Sequence, residues 1–183
     1  MEIKIIFSIL AFGALILSIC IKDRKKSLSV QALNCLFEAS YAYCINAFTG
    51  AILGLINCLR TFIFIQSKKI NKKIYFFILL FFEGMIILNC KYTWNGIVSI
   101  LPTIGSIIRT YCLWQTNMKL VRLSGIATGI FYGLYYIYYQ SWFIVIGYVL
   151  LLVMSIISTY KNDIIPEKLK FEKEYEENNR NNL

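Results

Sequence analysis

Apolar side chains fill this chain in runs of 17–20 residues separated by short polar breaks. That is close to the length an α-helix needs to cross a hydrocarbon core of about 30 Å. The runs cover residues 3–21, 28–46, 48–66, 74–90, 97–116, 122–139 and 142–160, and predict seven transmembrane helices. Residues 161–183 break the pattern. Pro166 can open a short helix there in which Lys170 and Glu174, or Lys173 and Glu177, stand four apart and can pair. The pattern therefore divides the chain into a transmembrane domain, residues 1–160, and a charged cytoplasmic tail, residues 161–183.

The breaks carry the charge, and their sign sets the orientation. Lys22, Arg24, Lys25 and Lys26 follow the first run, and Lys68, Lys69, Lys72 and Lys73 follow the third. Lys119 and Arg122 flank the connection between the fifth and sixth, and five basic residues occupy the tail. Fifteen basic residues thus fall on one side of the membrane, against Lys4 and Lys91 on the other. Cytoplasmic loops carry the excess of Lys and Arg, so the N-terminus is expected outside and the C-terminus inside. The first run reads as a span rather than a cleaved signal: it is long for such a segment and has no small-residue cleavage site.

Composition agrees with this reading. Of 183 residues, 58% are hydrophobic and only 16% charged, more apolar surface than one small soluble core can bury. The net charge of +9 is split into membrane flanks, so no nucleic-acid partner is expected. There is no histidine, which removes the commonest general base and metal ligand together. Cys20, Cys35, Cys44, Cys58, Cys90 and Cys112 stand singly in apolar stretches and read as small core residues. No metal, cofactor or catalytic residue is expected, and the protein does not read as an enzyme.

Four charged residues lie well inside the spans rather than at their ends, and each costs roughly 2.5–3.5 kcal/mol at mid-bilayer. The fourth run, rich in Ile, Leu and Phe, can absorb Glu83. The second carries Glu38 together with Asn34 and Gln31 and needs a partner helix. The second and third runs meet near Ala47, so positions summing to about 94 share a depth. Glu38 then stands level with Asn57, and Asn34 with Arg60. Helical spacing puts each of the pairs Asn34/Glu38 and Asn57/Arg60 on one face, within reach of a Glu38–Arg60 contact. Arg109 in the fifth run lies at the depth of Arg60, and two guanidiniums there call for an acid or an anionic ligand. Asn34, Glu38, Asn57, Arg60 and Arg109 are thus the expected solute pathway; the competing reading is a buried ion pair that only locks the hairpin.

Gly50/Gly54 and Gly125/Gly129/Gly133 make close-packing faces, which could also bring copies of the chain together. Pro102, with Gly105 one turn on, marks the fifth span as the one to kink or hinge. Tyr132, Tyr135, Tyr136 and Tyr139 form a stripe on the sixth, read either as an interfacial belt or as a stacking wall for a ring-bearing solute. Positions in the second and third runs land on the sixth and seventh when 93 is added: Lys26 on Lys119, Tyr43 on Tyr136, Gly54 on Gly147. This is what a duplicated three-helix unit, with the fourth span as linker, would leave.

The stretches Leu55-Ile56-Asn57-Cys58-Leu59-Arg60-Thr61-Phe62 and Leu101-Pro102-Thr103-Ile104-Gly105-Ser106 resemble the YgjV family of bacterial inner-membrane proteins. That family in turn resembles the SWEET, SemiSWEET and PQ-loop group. The resemblance implies an all-α membrane protein of 3+1+3 parallel-repeat architecture in the bacterial cytoplasmic membrane. Asn57, Arg60, Pro102 and Gly105 are the positions that carry over. The first three spans contain no proline, and Thr103 rather than Gln follows Pro102. The expected function is transport or binding of a small polar solute between two three-helix halves, with membrane lipids as the other partner. The alternative is a non-transporting scaffold or sensor that recruits a partner through its tail.

Overall fold

The computed structural model describes residues 2–21, 23–66, 71–115 and 117–165. Seven α-helices form: α1 (Glu2–Cys20), α2 (Arg24–Cys44), α3 (Phe48–Ile65), α4 (Lys72–Tyr92), α5 (Ile100–Trp114), α6 (Met118–Tyr138) and α7 (Trp142–Thr159). A short 3-10 turn, Ile97–Ser99, leads into α5, and one π-helical turn, Tyr160–Ile164, carries α7 beyond its expected end. Lys22, Lys68, Lys69 and the pairs expected in residues 166–183 lie outside the described residues.

Five of these helices, α3 to α7 with α5 counted from Ile97, are long and apolar enough to cross a membrane. The apolar part of α1, Ile3–Ser18, is shorter. α2 is the polar member, as Glu38 and Asn34 dictate. Side-chain caps start three helices. Asp23 accepts from the backbone N–H of Lys25 and Lys26, Asn71 from Lys73, and Asn117 from Lys119. The backbone donors of Lys26 and Lys25 hold the Asp23 carboxyl below the usual carboxylate range.

The helices close into a ring. α1 packs on α2 and α7, α2 on α3, α3 on α5, α5 on α6, and α6 on α7, while α4 lies outside against α3 and α5. Several helix limits recur 94 residues apart. A shift of 94 takes the bounds of α2 and α3 onto those of α6 and α7, and the end of α1 at Cys20 onto the end of α5 at Trp114. It also takes the cap Asp23 onto the cap Asn117. The spacing of the helix limits is 94, one residue more than the 93 read from the sequence identities.

The two hairpin turns are alike at atomic detail. Ala47 N–H donates to Ala42 O at 2.9 Å and Ser141 N–H to Tyr136 O at 3.0 Å. Asn46 and Gln140 take the left-handed conformation, with φ of 58° and 52°. Asn tolerates that region and Gln does not, at a cost of about 1 kcal/mol or more. Gln140→Gly is therefore expected to raise the melting temperature of the purified protein, and Asn46→Gly to change it less.

Glycine sets the close crossings. A Cβ on Gly54 would stand 2.8 Å from Ala39 Cβ and 3.0 Å from Cys35 O on α2. On Gly129 it would stand 3.0 Å from Tyr148 O on α7. The shift of 94 pairs Cys35 with Gly129 and Gly54 with Tyr148, so both hairpins cross at one equivalent point with the glycine on opposite partners. Both glycine faces are thus occupied within the chain, by α2, α7 and, at Gly50, the Tyr135 ring. Pro102 falls in the first turn of α5 rather than mid-helix. An amide there has no acceptor within α5, so Pro102 breaks no hydrogen bond inside that helix. Gly105 is a packing position, where a Cβ would meet the Tyr132 ring at 3.1 Å.

Candidate functional site

The inward faces of α2, α3, α5, α6 and α7 share a polar tier. On α2, Asn34 and Glu38 are both buried. The Glu38 carboxylate accepts a hydrogen bond of 2.5 Å from the Tyr148 hydroxyl on α7. The Tyr136 hydroxyl also interacts with this carboxylate, without a well-formed hydrogen bond. Asn57, on α3, donates to Tyr132 Oη at 2.9 Å and to Ser106 Oγ at 3.3 Å. Ser106 and Tyr132 share a further hydrogen bond of 2.5 Å.

Arg60, one turn on from Asn57, is only 1% exposed. Its Nη1 donates to Thr110 Oγ1 at 2.5 Å and to Ser106 O at 3.3 Å. The expected Glu38–Arg60 contact does not form, and this expectation is corrected. Hairpin geometry fixes depth but not direction around the helix axis. Glu38 turns toward α7, 110 positions away in sequence, and Arg60 toward α5.

Arg109 is half-buried on α5 and makes no hydrogen bond or ion pair with the described residues. Its charge nevertheless acts on Glu38. Among the described residues, Asn57 Oδ1, Arg60 Nε and the Tyr136 hydroxyl are buried in the tier without a well-formed hydrogen bond. Each is a place where desolvation is uncompensated. Beside Glu38 a crevice of about 10 Å³ opens among α1, α2 and α7, lined by Asn34, Gly147 and Tyr148 among others. That is close to the room one water requires.

The tyrosine stripe is interior. Tyr132, Tyr135 and Tyr136 are buried, so the interfacial belt is corrected for these three. Tyr139 stands at the rim, where its hydroxyl accepts from Asn95 Nδ2 at 3.1 Å. Tyr135 does capping work across the bundle. Ala47 supplies no side-chain cap to α3, and the Tyr135 hydroxyl instead accepts from Gly50 N–H at 3.0 Å. Rings stack inside the tier: Tyr132 on Tyr148 at 5.4 Å and Tyr136 on Tyr148 at 5.9 Å.

Sequence reasoning did not single out Tyr148, Ser106 and Thr110. The signals were a lone tyrosine inside the most apolar run, and two hydroxyls four apart flanking Arg109. At the Tyr139 end of the bundle an open cleft of about 560 Å³ is lined by Phe48, Tyr92, Trp94, Asn95 and Tyr139 among others.

A bundle of apolar helices around an interior polar tier defines an integral membrane protein. Residues 3–164 match the Imp-YgjV family model, a bacterial inner membrane protein family, and the chain belongs to that family. No curated protein and no solved structure matches it.

Proposed function

We propose that this inner-membrane protein carries a small polar solute between two three-helix halves, α1–α3 and α5–α7, with α4 as their link. The halves are read as parallel repeats 94 residues apart, an arrangement like that of the SWEET group, with the N-terminus outside and the C-terminus in the cytoplasm. The distribution of Lys and Arg supports the orientation.

The observation that carries the reading is that Glu38, Arg60 and Arg109 share one interior without an ion pair among them. A tier that served only to lock helices would be served better by a direct pair or by apolar packing, because each unpaired buried ion costs several kcal/mol. Charges kept apart at that cost are available to a solute, and intramembrane charges typically mark a solute or ion pathway.

The test has two parts. In proteoliposomes, at least one of labelled D-glucose, succinate and L-alanine is expected to enter faster than into protein-free vesicles, and Glu38→Gln to slow that entry at least tenfold. In a chain keeping only Cys35, which is buried on α2, a water-soluble thiosulfonate is expected to modify that residue as the tier opens. Entry no faster than through protein-free vesicles, with Cys35 labelled only after denaturation, would mean a dry and static tier and would overturn the reading.

A further inference from the structure

The 94-residue equivalence applied to the site shows that the two halves carry opposite charges at their matching seams. The crevice beside Glu38 lies where α7 meets α1 and α2. Its counterpart lies where α3 meets α5 and α6. The shift takes Leu15 to Arg109, Phe12 to Ser106 and Glu38 to Tyr132. One seam therefore holds a carboxylate where the other holds a phenol, and the other holds a guanidinium where the first holds a leucine.

The contacts bear out the equivalence of these positions. Ala11 lines the crevice beside Glu38, and its counterpart Gly105 packs on Tyr132, the counterpart of Glu38. The two seams adjoin at the stacked rings of Tyr132 and Tyr148, which belong to the second half.

We propose that the solute is a zwitterion, an α-amino acid in chemical class, whose ammonium group takes the crevice at Glu38 and whose carboxylate takes Arg109. This rests on the carrier reading above and names its substrate. The crevice has the volume of one water, and an ammonium group is of that size and donates to the same partners. Glu38 Oε1 already accepts from Tyr148, and with only the poorly aligned Tyr136 hydroxyl otherwise near the carboxylate, its other oxygen is the acceptor for the ammonium. Arg109 makes no hydrogen bond or ion pair among the described residues, and a guanidinium binds a carboxylate with two parallel hydrogen bonds.

A neutral solute would leave both charges uncompensated, and a simple anion would leave Glu38 unpaired and repelled. Of these classes a solute with both signs gives Glu38 and Arg109 each a counter-charge, while Arg60 keeps its bonds to Thr110 and Ser106. Each end is then held by a different half, so the body of the solute is admitted and released as the α1–α7 and α3–α5 seams part.

The experiment uses the full chain in nanodiscs and reads the shift in melting temperature with each of the twenty proteinogenic L-amino acids, D-glucose and succinate. At least one amino acid is expected to stabilise. Its decarboxylated and deaminated analogues are expected to bind at least tenfold more weakly. Glu38→Gln should erase the preference over the deaminated acid, and Arg109→Gln the preference over the amine. Glu38→Asp and Arg109→Lys, which keep the charges, should retain both preferences and control for folding.

Stabilisation by glucose or succinate and by no amino acid would overturn the zwitterion while leaving the carrier reading intact. So would amino-acid binding indifferent to both analogues, or no stabilisation by any probe in a chain whose Cys35 is labelled. No stabilisation with Cys35 unlabelled would remove both.

Discussion

Gly54→Ala is expected to lower the stability of the folded protein by about 2 kcal/mol, the middle of the range for overpacking a tight interior. Gly54→Leu is expected to prevent folding. The added methyl would stand 2.8 Å from Ala39 Cβ and 3.0 Å from the Cys35 carbonyl, which belongs to the backbone of α2 and cannot rotate away. The only relief is to separate α2 from α3, and this moves Glu38, next to Ala39, off the stacked tyrosines. Gly129→Ala should behave alike, since its Cβ would meet Tyr148 O at 3.0 Å.

Gly84 and Gly13 are the controls. A Cβ at either meets nothing within 4 Å, so alanine there should stabilise by up to about 1 kcal/mol through helix propensity alone. Reversible unfolding in mixed detergent micelles measures all four. Equal effects at Gly54 and Gly84 would show that the α2–α3 crossing is not as close as described.

The helices themselves were legible in the sequence. The apolar runs fall within a few residues of the limits of the seven helices, because the polar breaks between them supply the caps and turns. The burial of Asn34, Glu38, Asn57 and Arg60 was legible for a related reason: helical spacing puts each pair on one face, and lipid is too costly a neighbour for it.

Partner choice was not legible. Tyr148 reaches Glu38 and Thr110 reaches Arg60 because two distant helix pairs are brought together by ring closure, and no local pattern encodes that. The tyrosine stripe misled for the opposite reason. Tyrosine suits both a membrane interface and a buried site that offers its hydroxyl a partner, and the chain alone does not reveal the partners Gly50 N–H and Ser106 Oγ. Residues 94 positions apart are mostly unlike, Glu38 and Tyr132 among them, so the matching helix limits leave little trace in the sequence.

Arg60→Met is expected to leave stability within about 1 kcal/mol of the parent chain, while slowing solute entry at least tenfold. Methionine fills much of the arginine's volume and needs no hydrogen bonds. Replacing buried charged groups by apolar ones of similar size is often neutral or stabilising. The local losses are small: Thr110 Oγ1 keeps its own bond to Ser106 O at 2.7 Å, and the orphaned Arg60 Nε is removed from the interior altogether. Arg60→Ala should differ, costing about 2–5 kcal/mol, because the stem of a residue only 1% exposed leaves a cavity between α3 and α5. The pair separates two roles that a single deletion would confuse. If Arg60 were a structural clamp, Met and Ala would both destabilise the chain and entry would fall only as far as the folded fraction does. If the guanidinium serves the solute, the Met variant is well folded and inactive, and the loss appears in the rate of entry rather than in the melting curve.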